Sequence, residues 1–143
     1  KETNKLFNSE KILSWEQLLL LAKQGVHVGL HCHNHTILHE NQIPEDINFE
    51  LAKSKALLEE KIGLTCCDLA YPNGSKKDIS KKAIQLAIKN NYKTAITLIS
   101  GFCMNGINPM YLPRYYVSNN LKDNIKRLKR SAHDNKVFFE NML

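Results

Sequence analysis

The sequence predicts an α/β domain in which parallel strands are covered by helices, and three observations carry that prediction. Hydrophobic periodicity switches between two and about four residues along the whole chain. The apolar runs are joined by connections too long for hairpins, as parallel strands require. At 143 residues, 43% of them hydrophobic and 24% charged, the chain suffices for one domain that buries a core without disulfide or metal staples.

Ser14-Trp15-Glu16-Gln17 has the form of a capping box and opens a helix over the apolar run Leu18 to Ala22, which Gly25 ends. Val26, Val28 and Leu30 then alternate with His27 and Gly29, the signature of a strand over Val26 to Leu30. Pro44, Glu45 and Asp46 suit the first turn of a long amphipathic helix, along which Ile47, Leu51, Leu58 and Ile62 repeat until Gly63. Cys66 to Tyr71 reads as a short strand, broken by Pro72-Asn73-Gly74. A helix from Ser80 to Asn90 follows, with Ala83, Ile84, Ala87 and Ile88 on one side, and then a strand within Tyr92 to Ile99. A loop over 100–113 leads to a short strand at Arg114 to Val117. Asn119 or Asn120 caps a last helix with Leu121, Ile125, Leu128 and Ala132 on its buried stripe.

The net charge is +6, with its densest basic group at Lys122, Lys126, Arg127, Lys129 and Arg130. No aromatic residues interleave these charges, so they read as a solvated helix face and no nucleic-acid partner is expected. Cys32, Cys66, Cys67 and Cys103 show no Cys-x-x-Cys spacing and read as reduced thiols; a zinc site using Cys32 lacks the usual paired spacing. The run Leu18 to Ala22 is too short for a membrane span, and none is expected. The N-terminus has neither an initiating Met nor the look of a signal peptide, so the chain is expected to be a piece of a longer one. Compartment stays open between the cytoplasm and a bacterial-type cell envelope, and oligomeric state is not readable.

The chemistry concentrates after the first strand. Five of the six histidines fall between His27 and His39, and imidazoles delivered from a strand end onto a loop converge readily on one cation. In a parallel β/α architecture, binding chemistry collects at the C-terminal ends of strands. His31 to His39, Tyr71 to Gly74 and the loop leading to Arg114 all belong there, so they are expected to meet.

The order of these features resembles the polysaccharide deacetylase family, metal-dependent carbohydrate esterases (carbohydrate esterase family 4-like) with the NodB homology domain. Gly25-Val26-His27-Val28-Gly29-Leu30-His31-Cys32-His33-Asn34-His35-Thr36-Ile37-Leu38 looks like the family's histidine segment. It assigns the metal to His31 and His35, with Cys32 where the family has Thr or Ser. A second register, His35 to His39, fits the bare five-residue motif, but the first also places Gly25, Gly29 and Leu38. Leu69-Ala70-Tyr71-Pro72-Asn73-Gly74 resembles a third motif that walls the active-site groove, in which the amide at the position of Asn73 helps hold the oxyanion. Leu112-Pro113-Arg114 resembles a late segment of the family. The resemblance covers about residues 14–118 and implies an incomplete (β/α) barrel, a single domain over 1–143. The family's Thr-Phe-Asp-Asp motif is absent from this sequence, so the chain is expected to be the C-terminal portion of the deacetylase domain. The final Leu-x-His motif is not evident either; His133 falls in the last helix, outside its usual context.

The resemblance implies removal of acetyl groups from N-acetylated sugars of a polysaccharide or glycan precursor, with a divalent metal, zinc by expectation, as cofactor. His31 and His35 are the expected metal ligands, with His33 and His39 as possible extra ones. Tyr71, Asn73 and Arg114 are the catalytic candidates, Arg114 by forking onto a carboxylate. Tyr71, Pro72 and Tyr111 are the substrate-binding candidates, while Trp15 is expected in the core. The competing readings are a non-catalytic carbohydrate-binding relative and a phosphoesterase opened by His31-Cys32-His33.

Overall fold

In the computed structural model, which describes residues 12–129, helices α1 (Trp15–Lys23) and α2 (Pro44–Ile62) are followed in turn by strand β1 (Asp68–Ala70), helix α3 (Lys81–Lys89) and strand β2 (Thr94–Ile96). Each helix begins and ends on local chemistry. The Ser14 hydroxyl accepts the Gln17 amide at 3.3 Å while the Gln17 side chain accepts the Ser14 amide at 2.7 Å, so the capping box is closed from both sides. Pro44 opens α2, and Gly63 closes it in the left-handed region at φ 68. Ser80 caps α3 through the Ala83 amide at 3.0 Å.

β1 and β2 pair in parallel, Leu69 opposite Ala95. Single parallel bridges extend the pairing, Leu30 to Leu69 on one side and Ile96 to Leu112 on the other. The resulting order is Leu30, β1, β2, Leu112, all running one way. Helices cover this sheet, and the core gathers Leu30, Leu38, Ile47, Leu51, Leu58, Ile62, Leu69, Ala83, Ala87 and Ala95. Each fully buried Leu or Ile side chain among them contributes about 1.5–3 kcal/mol.

Four expectations need correction. The strand foreseen at Val26 to Leu30 shrinks to a bridge at Leu30, because the Val26 amide turns back to Leu21 O and only Leu30 exchanges bonds with Asp68 and Ala70. The strand foreseen at Arg114 to Val117 is replaced by pairing at Leu112; Pro113 has no amide to donate, and the Arg114 amide goes to Ile99 O. Residues 121–129 are helical, with Asn120 Oδ1 accepting the Lys122 amide at 3.0 Å, but the foreseen stripe is exposed at Leu121, Ile125 and Leu128. Nothing among the described residues covers it, and Ala132, Arg130 and His133 lie outside them. Trp15 is also exposed, and Gln17 is the buried residue of α1.

Candidate active site

Because the paired segments run in parallel, their C-terminal ends form one rim, and the three segments singled out in the sequence leave the sheet there. His31 follows Leu30 directly. Its Nδ1 lies 2.6 Å from the Ala70 carbonyl oxygen, and a carbonyl only accepts, so Nδ1 carries the donating proton, which selects the tautomer of the neutral ring whose Nε2 lone pair is open to a ligand. The His35 ring stands edge-on to that of His31, centroids 4.7 Å apart at 78°. Both histidines are exposed. A ring nitrogen donating to a backbone carbonyl is the outer contact that typically orients a metal-binding histidine.

The loop between them is unusual in its backbone. Cys32 and His35 both lie in the left-handed region, at φ 63 and 58, where a residue with a side chain is disfavoured by about 1–2 kcal/mol. Glu50, from the core-facing side of α2, holds the loop in this shape. Its carboxylate accepts the His33 amide at 2.9 Å, the Asn34 amide at 2.7 Å and the Asn34 side-chain amide at 2.7 Å, and Thr36 also contributes a side-chain hydrogen bond. Burial alone would raise the pKa of this group, but the hydrogen bonds from Asn34, Thr36 and His33 overcome it and hold the carboxyl below its ordinary value. Burial, and secondarily the Glu50 charge, push the Cys32 thiol up to about 12. It sits beneath the loop as a neutral thiol.

Just past β1, Asn73 occupies a tight turn at φ 57, closed by the Gly74 amide on Pro72 O at 2.6 Å. The Leu98 amide donates to Gly74 O at 2.8 Å and ties the turn to the end of β2. Gly74 has φ 65, and a Cβ there would stand 2.9 Å from Leu98 N. Only glycine fits. Asn73 is exposed, and its own amide meets no acceptor among the described residues, so it is available to a ligand.

The remaining candidates divide. Tyr71 is 1% exposed and its hydroxyl donates to Met110 O at 3.0 Å; burial drives its pKa up. Pro72 is buried as well. Both side chains are buried and hold the rim from beneath. Tyr111 is half-buried on the short turn that Tyr71 anchors. Arg114 is exposed, and its guanidinium pairs with no carboxylate among the described residues. His33 packs edge-on against Phe49, centroids 5.8 Å apart. His39 Nδ1 accepts the Asn41 amide at 3.1 Å in a cleft shared with Glu40, Lys77 and Asp78. As placed, neither completes the His31–His35 pair: among the described residues no group of three His, Cys, Asp or Glu side chains is arranged to hold a metal. Two imidazoles, one with its tautomer fixed, fit two nitrogen positions of a zinc-type cation. The rest of such a coordination sphere is not supplied by the described residues.

The model of the polysaccharide deacetylase family matches residues 3–95, more than half of the chain. The chain belongs to that family. The match takes in the histidine loop and the Tyr71 to Gly74 turn but stops short of Leu112-Pro113-Arg114. The fold of this polysaccharide deacetylase chain is similar to that of a Streptococcus pyogenes deacetylase, PplD, solved in complex with acetate, at TM-score 0.73 and 23% identity over 87% of this chain and 52% of that one. It is also similar to IcaB from Ammonifex degensii, at TM-score 0.69 and 20% identity over 88% of this chain and 55% of that one. A third similar structure is BC0361, a polysaccharide deacetylase from Bacillus cereus, at TM-score 0.65 and 22% identity, covering 84% and 38%. The chain thus spans about half the length, or less, of these structures. No curated protein matches the sequence. The NodB-type architecture of parallel strands and covering helices stands, as an incomplete barrel.

Glu50 escaped the sequence reading. It sits three residues after Ile47 and one before Leu51, on the apolar stripe of α2, and an acidic residue on a buried stripe is the signal that marks it.

Proposed function

We propose that this chain carries the histidine and oxyanion side of a metal-dependent deacetylase that removes acetyl groups from N-acetylated sugars of a polysaccharide or glycan precursor. The observation that carries the reading is the His31–His35 pair, with His31 Nδ1 on Ala70 O and its Nε2 free to ligate. His31 and His35 would hold a divalent cation, zinc by preference for imidazole. Such a cation supplies polarisation of the acetyl carbonyl and lowers the pKa of the attacking water.

The chain's own groups do the rest of the positioning. The reaction adds water to the acetyl carbon, breaks its bond to nitrogen and releases acetate and an amine, so negative charge builds on the acetyl oxygen. The Asn73 amide, held by a turn that Gly74 alone allows, donates to that oxygen without reorganising. Arg114, on the same rim, offers a guanidinium to a carboxylate, and the half-buried ring of Tyr111 offers a face to a sugar. Family membership and the similarity to an acetate-bound deacetylase support acetyl chemistry.

The test is zinc affinity of the full chain by calorimetry after chelator treatment, beside His31→Ala and His35→Ala. Binding that is lost in both variants supports the assignment; equal binding in all three overturns it. One observation favours a second reading, a non-catalytic carbohydrate-binding relative: no carboxylate joins the histidine pair among the described residues. Zinc binding without acetate release from an N-acetylated oligosaccharide selects that reading. The phosphoesterase reading falls with the family match and with His33 packed on Phe49.

A further inference from the structure

We propose that Glu50 is the positioning residue of the histidine pair: its buried carboxylate sets the 31–35 loop in ligating geometry before any ion arrives and supplies negative charge that favours a cation there. The inference rests on the metal reading of His31 and His35. Glu50 is 4% exposed, and among the described residues no Lys or Arg pairs with it. A buried charge is tolerated only when it is hydrogen-bonded or paired. Here every partner comes from the histidine loop: the amides of His33 and Asn34, the Asn34 side chain and Thr36.

That arrangement answers two questions at once. Two successive backbone amides turn inward onto one carboxylate, which is why the residues flanking them, Cys32 and His35, are bent into the left-handed region. With the segment so turned, His31 and His35 bring their rings together on the outer side while His33 is directed to Phe49. Among the described residues no basic side chain compensates the negative charge of Glu50, which lies behind the loop that carries the exposed His31 and His35. An incoming cation would balance it by Coulomb attraction. A residue serving the fold alone would sit better on this stripe as an aliphatic side chain, since α2 is otherwise lined there by Ile47, Leu51, Leu58 and Ile62.

The experiment uses the full chain, metal-free, with Glu50→Gln as the main variant and Asn34→Ala as a milder one that removes a donor from an exposed residue. Amide hydrogen exchange is followed at His33 and Asn34, with Leu69 and Ala95 in the sheet as internal controls, and zinc affinity is measured by calorimetry. In the wild type the two loop amides are protected without metal. Glu50→Gln speeds their exchange at least about 10-fold with the sheet amides unchanged, and weakens zinc about 10- to 100-fold. Asn34→Ala weakens zinc in the same direction and by less. Fast exchange of His33 and Asn34 in the wild type overturns the inference. So does wild-type zinc affinity in Glu50→Gln or, should that variant not fold, in Asn34→Ala. Failure of the underlying metal reading looks different: wild type and His31→Ala then bind zinc alike.

Discussion

Gly74→Ala is the substitution on which the geometry of the rim is most exposed. Two costs are separable there. The φ of +65 is a left-handed conformation, in which a Cβ costs about 1–2 kcal/mol. The added methyl would also stand 2.9 Å from Leu98 N and 3.2 Å from Tyr71 O, both backbone atoms that cannot rotate away, and forced overlap of this kind costs about 1–3 kcal/mol. The total is about 2–5 kcal/mol. Gly25 provides the control, because its φ is +87 but a Cβ there meets nothing within 4 Å; Gly25→Ala carries the first cost alone. Urea unfolding followed by circular dichroism, with both variants beside the wild type, therefore reads the clash as a difference of about 1–3 kcal/mol between them. Gly74→Ala should also diminish whatever acetate release the chain shows, because relieving the clash moves the Asn73 amide. Equal destabilisation by the two variants would refute the claim that Leu98 presses on this turn.

Three further outcomes follow from the same structure. Tyr71→Phe removes the hydroxyl that satisfies Met110 O in the core and should cost about 1–3 kcal/mol in urea unfolding, with faster exchange at the Tyr111 amide. Ser80→Ala removes the cap on the Ala83 amide and should cost about 0.5–2 kcal/mol, read from the same unfolding curves. Asp68 is held below its ordinary carboxyl pKa by the Thr94 hydroxyl first, against an opposing effect of burial, and then by His27. A depressed carboxyl pKa stabilises above the unfolded-state value, here about 4, and that stability is lost as pH falls through the lower folded-state value. Thr94→Val should bring the folded pKa back up and shallow the loss of stability below pH about 4, measured as unfolding midpoint against pH; an unchanged acid slope would refute it.

What the sequence disclosed and what it hid divide along physical lines. The helices were legible because their ends are decided locally: Ser14 with Gln17, Pro44, Gly63 and Ser80 each act within a few residues of themselves. Strands were legible as faces but not as pairings. Alternation at Val26 to Leu30 marks an apolar face; it does not show that only Leu30 reaches β1 or that Val26 is left exposed. The exposed stripe at Leu121, Ile125 and Leu128 makes the same point, since periodicity marks an apolar face and leaves its cover unstated. At the site, the departure of the histidine loop and the Asn73 turn from the same end of neighbouring parallel segments followed from topology, and the left-handed Asn73 and Gly74 agree with a Pro-Asn-Gly turn. The interior placement of Tyr71 and Pro72 did not follow, because a strand residue next to a turn has equal licence to face either way. The grip of Glu50 on a loop sixteen residues earlier is a tertiary contact that no local pattern encodes.

That grip also constrains how the chain can vary. Successive residues of α2 are offset by about 100° around its axis, and the helix uses one angular sector both for Ile47, Leu51, Leu58 and Ile62 and for the Glu50 carboxylate. Inserting or deleting a residue between Ile47 and Leu58 would leave either the core or the histidine loop facing the wrong sector. Changes of length in this part of the molecule are therefore expected to accumulate in the surface turn at 40–43, while α2 keeps its residue count and drifts only in the identity of its outward positions.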